Sequence, residues 1–219
     1  SYFLPLIYRE VVRQTQEVLD ESLNEEHRLL KMRARPKILV AENYETAFGL
    51  YERYKPYLFG VMTDTRFPKE GRICADAGVR LLKTIKSEIP DLPSLLLSNE
   101  PHNKAKAETI PAQFLDKNSP RLFKALHRYF LEYFGFGDFI FRYADGSEVG
   151  RASNLRQLED LLPDIPDEPL CYHAMRNRFS NWIMARSEIA LASHLRQVQA
   201  TDFPDVDSMR KYIIASIHN

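Results

Sequence analysis

The first 134 residues alternate between short continuous apolar runs and stretches in which apolar residues recur every three or four positions. A short apolar run is typical of a strand that is covered on both faces, and the second spacing is typical of an amphipathic helix. When strands alternate with helices along a chain, right-handed crossovers give a parallel sheet with helices on both faces. The pattern therefore predicts an α/β fold with a doubly wound parallel sheet.

Four apolar runs predict strands, and these are "KILVA" at 37–41, "YLFGVMT" at 57–63, "PSLLLS" at 93–98 and "AQFLD" at 112–116. Helical spacing predicts helices at 8–31, 44–54, 78–87 and 119–134, with weaker helical character at 103–109. Asn43 is a suitable cap for the second of these helices, because its side-chain oxygen can accept a hydrogen bond from a backbone N–H of the first turn.

The pattern changes after Phe134. The stretch "FGFGDFIFRYADGSEVGR" predicts a hairpin whose turn contains Asp145 and Gly146. From Ser153 onward the spacing is helical, and Trp182 and Leu195 lie on the predicted buried face of one long helix. We therefore expect an α/β domain over residues 1–134 and a hairpin plus helical extension over residues 135–219.

Charge and cysteine content exclude several classes of function. Thirty basic residues balance thirty acidic ones, and residues 135–219 carry twelve acidic and nine basic residues, so we expect no nucleic-acid partner. No apolar run approaches the roughly 20 residues of a membrane span. Cys74 and Cys171 are far apart and typical of reduced thiols, which predicts a cytoplasmic location. Cys171 and His173 lack zinc-site spacing, so packing is their favoured interpretation.

Three polar residues each follow one of three successive predicted strands: Asp64, Ser98 and Lys117. Because the carboxyl ends of parallel strands meet at one edge of a sheet, we expect these side chains to converge there. A carboxylate nucleophile with a hydroxyl and an ammonium to bind the incoming oxygens suits phosphoryl transfer. Each residue also has an ordinary interpretation: a turn carboxylate, a hydroxyl that bonds its own backbone, and a solvated lysine.

The order of these motifs resembles the receiver domains of two-component response regulators. The motifs are "TDTRFP" around Asp64 with Pro68, "LLLS" ending in Ser98, and "FLDK" ending in Lys117, and "AENYETAFGLYERYKP" is similar to the family's second strand and helix. The resemblance covers roughly residues 8–134. It implies that Asp64 is phosphorylated, that Ser98 and Lys117 bind the phosphoryl group, and that Phe114 is a switching aromatic ring, although Phe114 also suits core packing.

The resemblance also implies a Mg²⁺ ion bound by Asp64, by the backbone carbonyl of Arg66 and by an acidic pair that ends the family's first strand. If "KILVA" is the second strand, that acidic pair belongs upstream of Ser1. In the rival alignment "KILVAEN" is the first strand, with Glu42 and Asn43 replacing the acids. The first alignment is favoured, because the 22 residues from Glu42 to Asp64 allow a single helix and no further strand. The loop "KEGRICADA" and Asn99 also depart from the family pattern.

The remaining residues resemble a segment of multidomain proteins similar to phosphoenolpyruvate synthase and pyruvate phosphate dikinase, which move a phosphoryl group from ATP to pyruvate. The similar stretches are "FGFGDFIFR", "YHAMRNRFSNWIMARSEIALASHLR" and "DFPDVDSMRKYI". In those proteins the segment precedes the catalytic part. We therefore expect the intact protein to be a phosphotransferase of this type, with no complete active site inside these residues.

Two hypotheses follow. In the first, the chain is a regulatory phosphoacceptor module of a two-component or phosphorelay system. The expected partners are a histidine kinase or a small phosphodonor, the other domains of the parent protein, and a second copy of the chain in a homodimer. In the alternative, the chain is a pseudo-receiver that is not phosphorylated and acts as a protein-interaction or dimerisation module.

Overall fold

A computed structural model of the chain describes residues 4–20 and 36–218. Its α-helices, numbered α1 to α10 in chain order, are Leu4–Asp20, Tyr44–Tyr54, Ala77–Glu88, Lys104–Glu108, Leu122–Glu132, Leu155–Leu161, Asp167–Ala174, Arg178–Ala185, Ile189–Arg196 and Val206–His218. Its strands, numbered β1 to β7, are Val61–Asp64, Phe67–Lys69, Arg72–Cys74, Ser94–Ser98, Gln113–Asp116, Phe139–Arg142 and Glu148–Ala152.

The chain divides into two compact units. One unit comprises residues 37–129, and the other comprises residues 130–219 together with the N-terminal residues that include helix α1. This division differs from the predicted domains in two respects. It falls inside helix α5, a few residues before the expected boundary at 134, and it separates α1 from the α/β unit to which the periodicity assigned it.

A three-stranded parallel sheet organises the α/β unit. Strand β4 lies in the centre, between β1 and β5, and all five of its residues are buried. Helices flank this sheet, so the predicted α/β class with parallel strands is confirmed. The central strand "SLLLS" is continuous and apolar because it is covered on both faces.

The core of this unit forms where helix α3 packs on the sheet. Val79 and Leu82 of α3 form a cluster with Leu96 of the central strand, with Ala107 of helix α4 and with Ile110, which follows that helix. A second cluster joins the opposite side of α3 to helix α2, whose Asn43 cap accepts a hydrogen bond from the Thr46 N–H at 2.8 Å, as predicted. Helix α3 is therefore the element that holds the unit together.

The expected "KILVA" strand is wrong. Residues 36–41 form no regular secondary structure, and Leu39 and Val40 are 44% and 56% exposed. A strand needs a neighbour for its backbone N–H and C=O groups, and in the described part of the chain β1 is paired only with β4. Neither alignment of "KILVA" as a strand is therefore realised in these residues.

A hairpin follows Asp64, where the sequence predicts a loop. Strands β2 and β3 pair antiparallel through a two-residue turn, with Lys69 opposite Arg72. Glu70 and Gly71 both have positive φ angles, 53° and 72°, which is the backbone of a type I′ turn. The predicted loop "KEGRICADA" is thus mostly ordered structure.

The second unit contains the predicted hairpin and a series of helices. Strands β6 and β7 pair antiparallel, and the rings of Phe139 and Phe141 pack against His173 and Phe179. The predicted long helix is in fact two, α8 and α9, because the chain breaks at Ser187, whose φ is 63°. The first predicted helix begins at Leu4, and its part beyond Asp20 lies outside the described residues.

Candidate functional site

The register of the parallel sheet brings the ends of three strands to one rim. Asp64 at the end of β1 lies opposite Leu97 of β4, and Ser98 at the end of β4 lies opposite Asp116 of β5. The Lys117 N–H then donates to the Ser98 carbonyl at 2.8 Å. The three residues that follow successive strands in the sequence therefore share one edge of the sheet, as expected.

Asp64 and Lys117 form an ion pair across that rim. The Lys117 ammonium contacts Oδ1 of Asp64. The lysine side chain is only 14% exposed, whereas the aspartate side chain is 46% exposed. The pair consequently leaves the carboxylate open to solvent on one side, with a positive charge fixed on the other.

Ser98 lies at the same rim but makes different contacts. Its hydroxyl oxygen accepts a hydrogen bond from the Asn103 amide at 2.9 Å and another from the Glu100 N–H at 3.1 Å. The residue is buried. The structure therefore brings Ser98 to the edge where the ion pair lies, and binds its hydroxyl to the turn before α4 and not to Asp64.

Close packing against the start of helix α3 fixes the backbone of Asp64. Gly78, in the first turn of helix α3, has no room for a Cβ atom, because such an atom would collide with the Asp64 carbonyl oxygen. The Gly78 N–H also donates to the Thr65 carbonyl at 3.1 Å, and the Thr65 hydroxyl donates to the Leu97 carbonyl at 3.1 Å. Gly78 was not among the predicted site residues, although a glycine just inside a helix that follows a strand is a signal for such contact.

Phe114 lies on β5, three residues before Lys117. It is partly buried and packs against the core cluster that contains Val79 and Ala107. This contact agrees with the interpretation of core packing and leaves the switching role as a proposal.

The residues present do not by themselves fit a Mg²⁺ ion. Arg66, whose carbonyl the resemblance assigns to the metal, follows Asp64 closely in the chain and is exposed. In residues 4–20 and 36–218, however, no three or more His, Cys, Asp or Glu side chains cluster so that they could hold a metal. Mg²⁺ prefers several oxygen ligands in octahedral geometry, and one carboxylate with one backbone carbonyl does not supply them.

The β2–β3 hairpin, which follows Asp64 after two residues, is tied to the start of helix α2. The Glu70 N–H donates to the Glu45 carboxylate at 2.9 Å, and the Lys69 ammonium lies 5.1 Å from the centre of the Tyr44 ring. Ile73, at 66% exposed, faces solvent. The hairpin is thus a fixed neighbour of the site and carries an apolar side chain on its outer face.

An open groove of about 450 Å³ lies elsewhere in the same unit, between helices α3 and α4. Arg80 and Lys83 line it, and an ion pair of 2.6 Å joins Asp76 to Lys106. The hydrogen bond from Lys106 is the main cause that lowers the pKa of Asp76. None of the predicted site residues lines this groove.

Comparisons of the chain with protein-family models, curated proteins and solved structures found no match. Within the helices that the structure describes, none has both the length and the apolar character required to cross a membrane. The arrangement of residues at the sheet rim is therefore the basis on which a function can be assigned.

Proposed function

We propose that the chain is a receiver-like regulatory module in which Asp64 accepts a phosphoryl group. The observation that carries this proposal is the ion pair between Asp64 and Lys117 at the carboxyl edge of a parallel sheet. The finer fold assignment, a flavodoxin-like receiver fold, belongs to the same proposal. The proposal also includes a cytoplasmic location and a place within a larger phosphotransferase similar to phosphoenolpyruvate synthase.

The chemistry is the transfer of a phosphoryl group from a donor to a carboxylate oxygen of Asp64. A carboxylate oxygen of Asp64 attacks phosphorus, a new O–P bond forms, and the bond from phosphorus to the donor's leaving group breaks with its electron pair on that group. The donor is a histidine kinase phosphohistidine or a small acyl phosphate. The product is an acyl phosphate on Asp64.

Lys117 and Ser98 supply the electrostatic part. The Lys117 ammonium is already in place and neutralises negative charge on the transferred group, while the Ser98 hydroxyl donates to one of its oxygens. The Lys117 side chain is largely buried, and a charge in such surroundings interacts more strongly than one in bulk water. After transfer, the ammonium changes partner from the carboxylate to a phosphoryl oxygen.

That change of partner gives a route for signalling inside the α/β unit. Lys117 directly follows β5, and Phe114 on the same strand packs against the cluster that contains Ala107 of helix α4. A shift at the end of β5 therefore reaches α4 through a packed aromatic ring, since close-packed interiors transmit small displacements.

The test is to incubate the protein, purified as the cell makes it, with acetyl phosphate and Mg²⁺ and to measure labelling. We expect one added phosphoryl group by intact mass spectrometry, and Asp64→Asn should abolish it. Asp116→Asn is the matched control, because Asp116 ends strand β5 at the same edge of the sheet but accepts a hydrogen bond from the Asn118 N–H. The absence of any added phosphoryl group on the unaltered protein would refute the phosphoacceptor role.

A second candidate is a pseudo-receiver that acts as a dimerisation module. It is supported by helix α5, on which Phe123 is 50% exposed and Lys124 and Arg128 are also exposed. In this case Asp64→Ala leaves self-association unchanged, whereas Lys124→Glu with Arg128→Glu weakens it. Sedimentation velocity distinguishes the candidates, because a change in association caused by Asp64→Ala would argue against a silent acid.

A further inference from the structure

The hydroxyl oxygen of Ser98 receives two hydrogen bonds at once. The Asn103 side-chain amide donates to it at 2.9 Å, and the Glu100 backbone N–H donates at 3.1 Å. A serine hydroxyl has two acceptor sites and one hydrogen to donate. Both acceptor sites are therefore used, and the remaining capacity of this group is donation.

Asn103 is held so that its amide nitrogen, and not its oxygen, faces Ser98. The same nitrogen donates to the Glu100 carboxylate at 3.2 Å, and the residue is only 2% exposed. Rotating the amide by half a turn would bring its oxygen against the Glu100 carboxylate, so that two acceptors would face each other with no hydrogen between them, and the Ser98 hydroxyl would then donate to Asn103. The Glu100 carboxylate thus decides the orientation of the amide.

The backbone around Asn103 brings it back to the strand end. Residues Pro101–Asn103 form a short 3₁₀ turn that leads directly into helix α4, and the Asn103 N–H donates to the Glu100 carbonyl at 3.1 Å. This turn returns the chain to Ser98, five residues earlier. A buried side chain on a bonded turn has little freedom, which is the property that a supporting residue requires.

We infer that Asn103 is a positioning residue that makes Ser98 an obligatory hydrogen-bond donor to an anionic oxygen bound at Asp64. This inference rests on the proposed phosphoacceptor function and adds a residue to it. Phosphoryl oxygens are acceptors only, so a hydroxyl whose own acceptor sites are filled is matched to them and does not have to reorient during transfer.

The test compares substitutions that keep or reverse the polarity at position 103. In Asn103→Asp the new carboxylate accepts the Ser98 hydrogen and withdraws it from the phosphoryl group. In Asn103→Leu the hydroxyl loses one of its two donors without added charge. Asn118→Asp is the matched control, because Asn118 lies near the same rim and donates its amide to the Asn99 carbonyl, not to Ser98.

The readout is the rate of acetyl phosphate labelling, with each variant also made in a Ser98→Ala background. We expect Ser98→Ala and Asn103→Asp each to slow labelling by about 10-fold or more, with a smaller loss for Asn103→Leu. The loss should fall on the maximal rate and not on the half-saturating donor concentration. The losses caused by Ser98→Ala and by Asn103→Asp should not multiply in the double variant, because both substitutions remove the same hydrogen-bond donor. The control Asn118→Asp should retain the normal rate.

The outcomes separate this inference from the function on which it rests. If the protein is labelled at Asp64 but the Asn103 and Ser98 effects multiply, or Asn118→Asp slows labelling as much as Asn103→Asp, the positioning role is wrong and the phosphoacceptor role stands. If the unaltered protein takes up no label, both fall together. Circular dichroism and thermal unfolding identify a variant that fails to fold, in which case Asn103→Leu alone decides the comparison.

Discussion

Gly78 and Asp64 are in backbone contact, with the Gly78 Cα packed against the Asp64 carbonyl so closely that no side chain fits at position 78. The contact joins the first turn of helix α3 to the end of strand β1. It holds the backbone of the carboxylate-bearing residue against the start of the helix. A change at Gly78 therefore affects both the stability of the unit and the geometry of its rim.

Gly78→Ala should destabilise the protein by about 2 kcal/mol or more, because the added methyl group forces helix and strand apart. Gly49→Ala is the matched control, since Gly49 lies inside helix α2 with no atom near an added Cβ. That control should be stabilising by about 0.5–1 kcal/mol, the ordinary gain of alanine over glycine in a helix. Urea unfolding measures both, and equal stability of the two variants would contradict the contact.

Lys117→Met should change the free energy of unfolding by less than about 1 kcal/mol, because its partner Asp64 is nearly half exposed and such ion pairs contribute little. The labelling rate should nevertheless fall by about 10-fold or more, since the ammonium neutralises the transferred group. Lys106→Met is the control, because it removes a similar ion pair, that with Asp76, away from the rim. A normal labelling rate in Lys117→Met would exclude the lysine from the chemistry.

His173 should make the protein less stable as the pH falls below about 6.5. Burial, with a smaller effect of the nearby arginines Arg178, Arg176 and Arg142, lowers the pKa of His173 from 6.5 to about 3. Between these values the unfolded chain binds a proton that the folded chain does not, so unfolding is favoured as pH decreases, by about 1.4 kcal/mol per pH unit.

The change that tests this is His173→Gln, whose side chain can still accept the Arg142 N–H bond that the histidine ring accepts at 2.9 Å. We expect the variant to lose most of the difference in stability between pH 6.5 and pH 5. Urea unfolding followed by the fluorescence of Trp182, the single tryptophan, is the measurement, and His102→Gln controls for the substitution itself. An unchanged pH dependence in His173→Gln would show that other groups cause it.

Arg186→Lys should destabilise the second unit by about 2 kcal/mol or more. The buried guanidinium donates to the carbonyls of Gly135, Gly137, Ser153 and Trp182 at 3.0–3.2 Å. A lysine carries the same charge but lacks the planar array of donors that reaches all four. Its ammonium would therefore be buried with incomplete hydrogen bonding.

The matched control for this variant is Arg176→Lys. Arg176 is exposed and stacks on the Tyr172 ring at 4.0 Å, so the same chemical change there should cost less than about 0.5 kcal/mol. Thermal unfolding compares the two. If both variants unfold at the same temperature, the carbonyl contacts of Arg186 do not stabilise the unit.

The sheet could be predicted from the sequence because its central strand is a continuous apolar run covered on both faces. The same rule failed for "KILVA", since apolar character indicates that a segment can be buried and does not show whether a neighbouring strand is present to pair with it. The sequence did not predict the β2–β3 hairpin, because "FPKEGRIC" contains neither a regular alternation of apolar and polar residues nor a strong turn dipeptide such as Asn-Gly. Short strands of this kind are decided by tertiary contacts.

The sequence predicted the part of the site that depends on the topology of the sheet. Asp64 and Lys117 could be placed together because parallel strands end at a common edge, a relation that depends only on topology. The roles of Asn103 and Gly78 depend on how a turn and a helix start return to that edge. The atoms involved belong to residues five and fourteen positions away from their partners, and no spacing rule for side chains anticipates such contacts.

The β2–β3 hairpin leaves and re-enters the body of the unit at nearly one point, because Phe67 and Cys74 are directly opposite each other across the two strands. A segment with such closely spaced ends can be lengthened, shortened or replaced over evolutionary time without moving the sheet, provided that Phe67 keeps its place in the core. The surroundings of Asp64 are thus modular. Proteins that evolve from this chain can therefore differ in the residues around Asp64 and keep the same sheet.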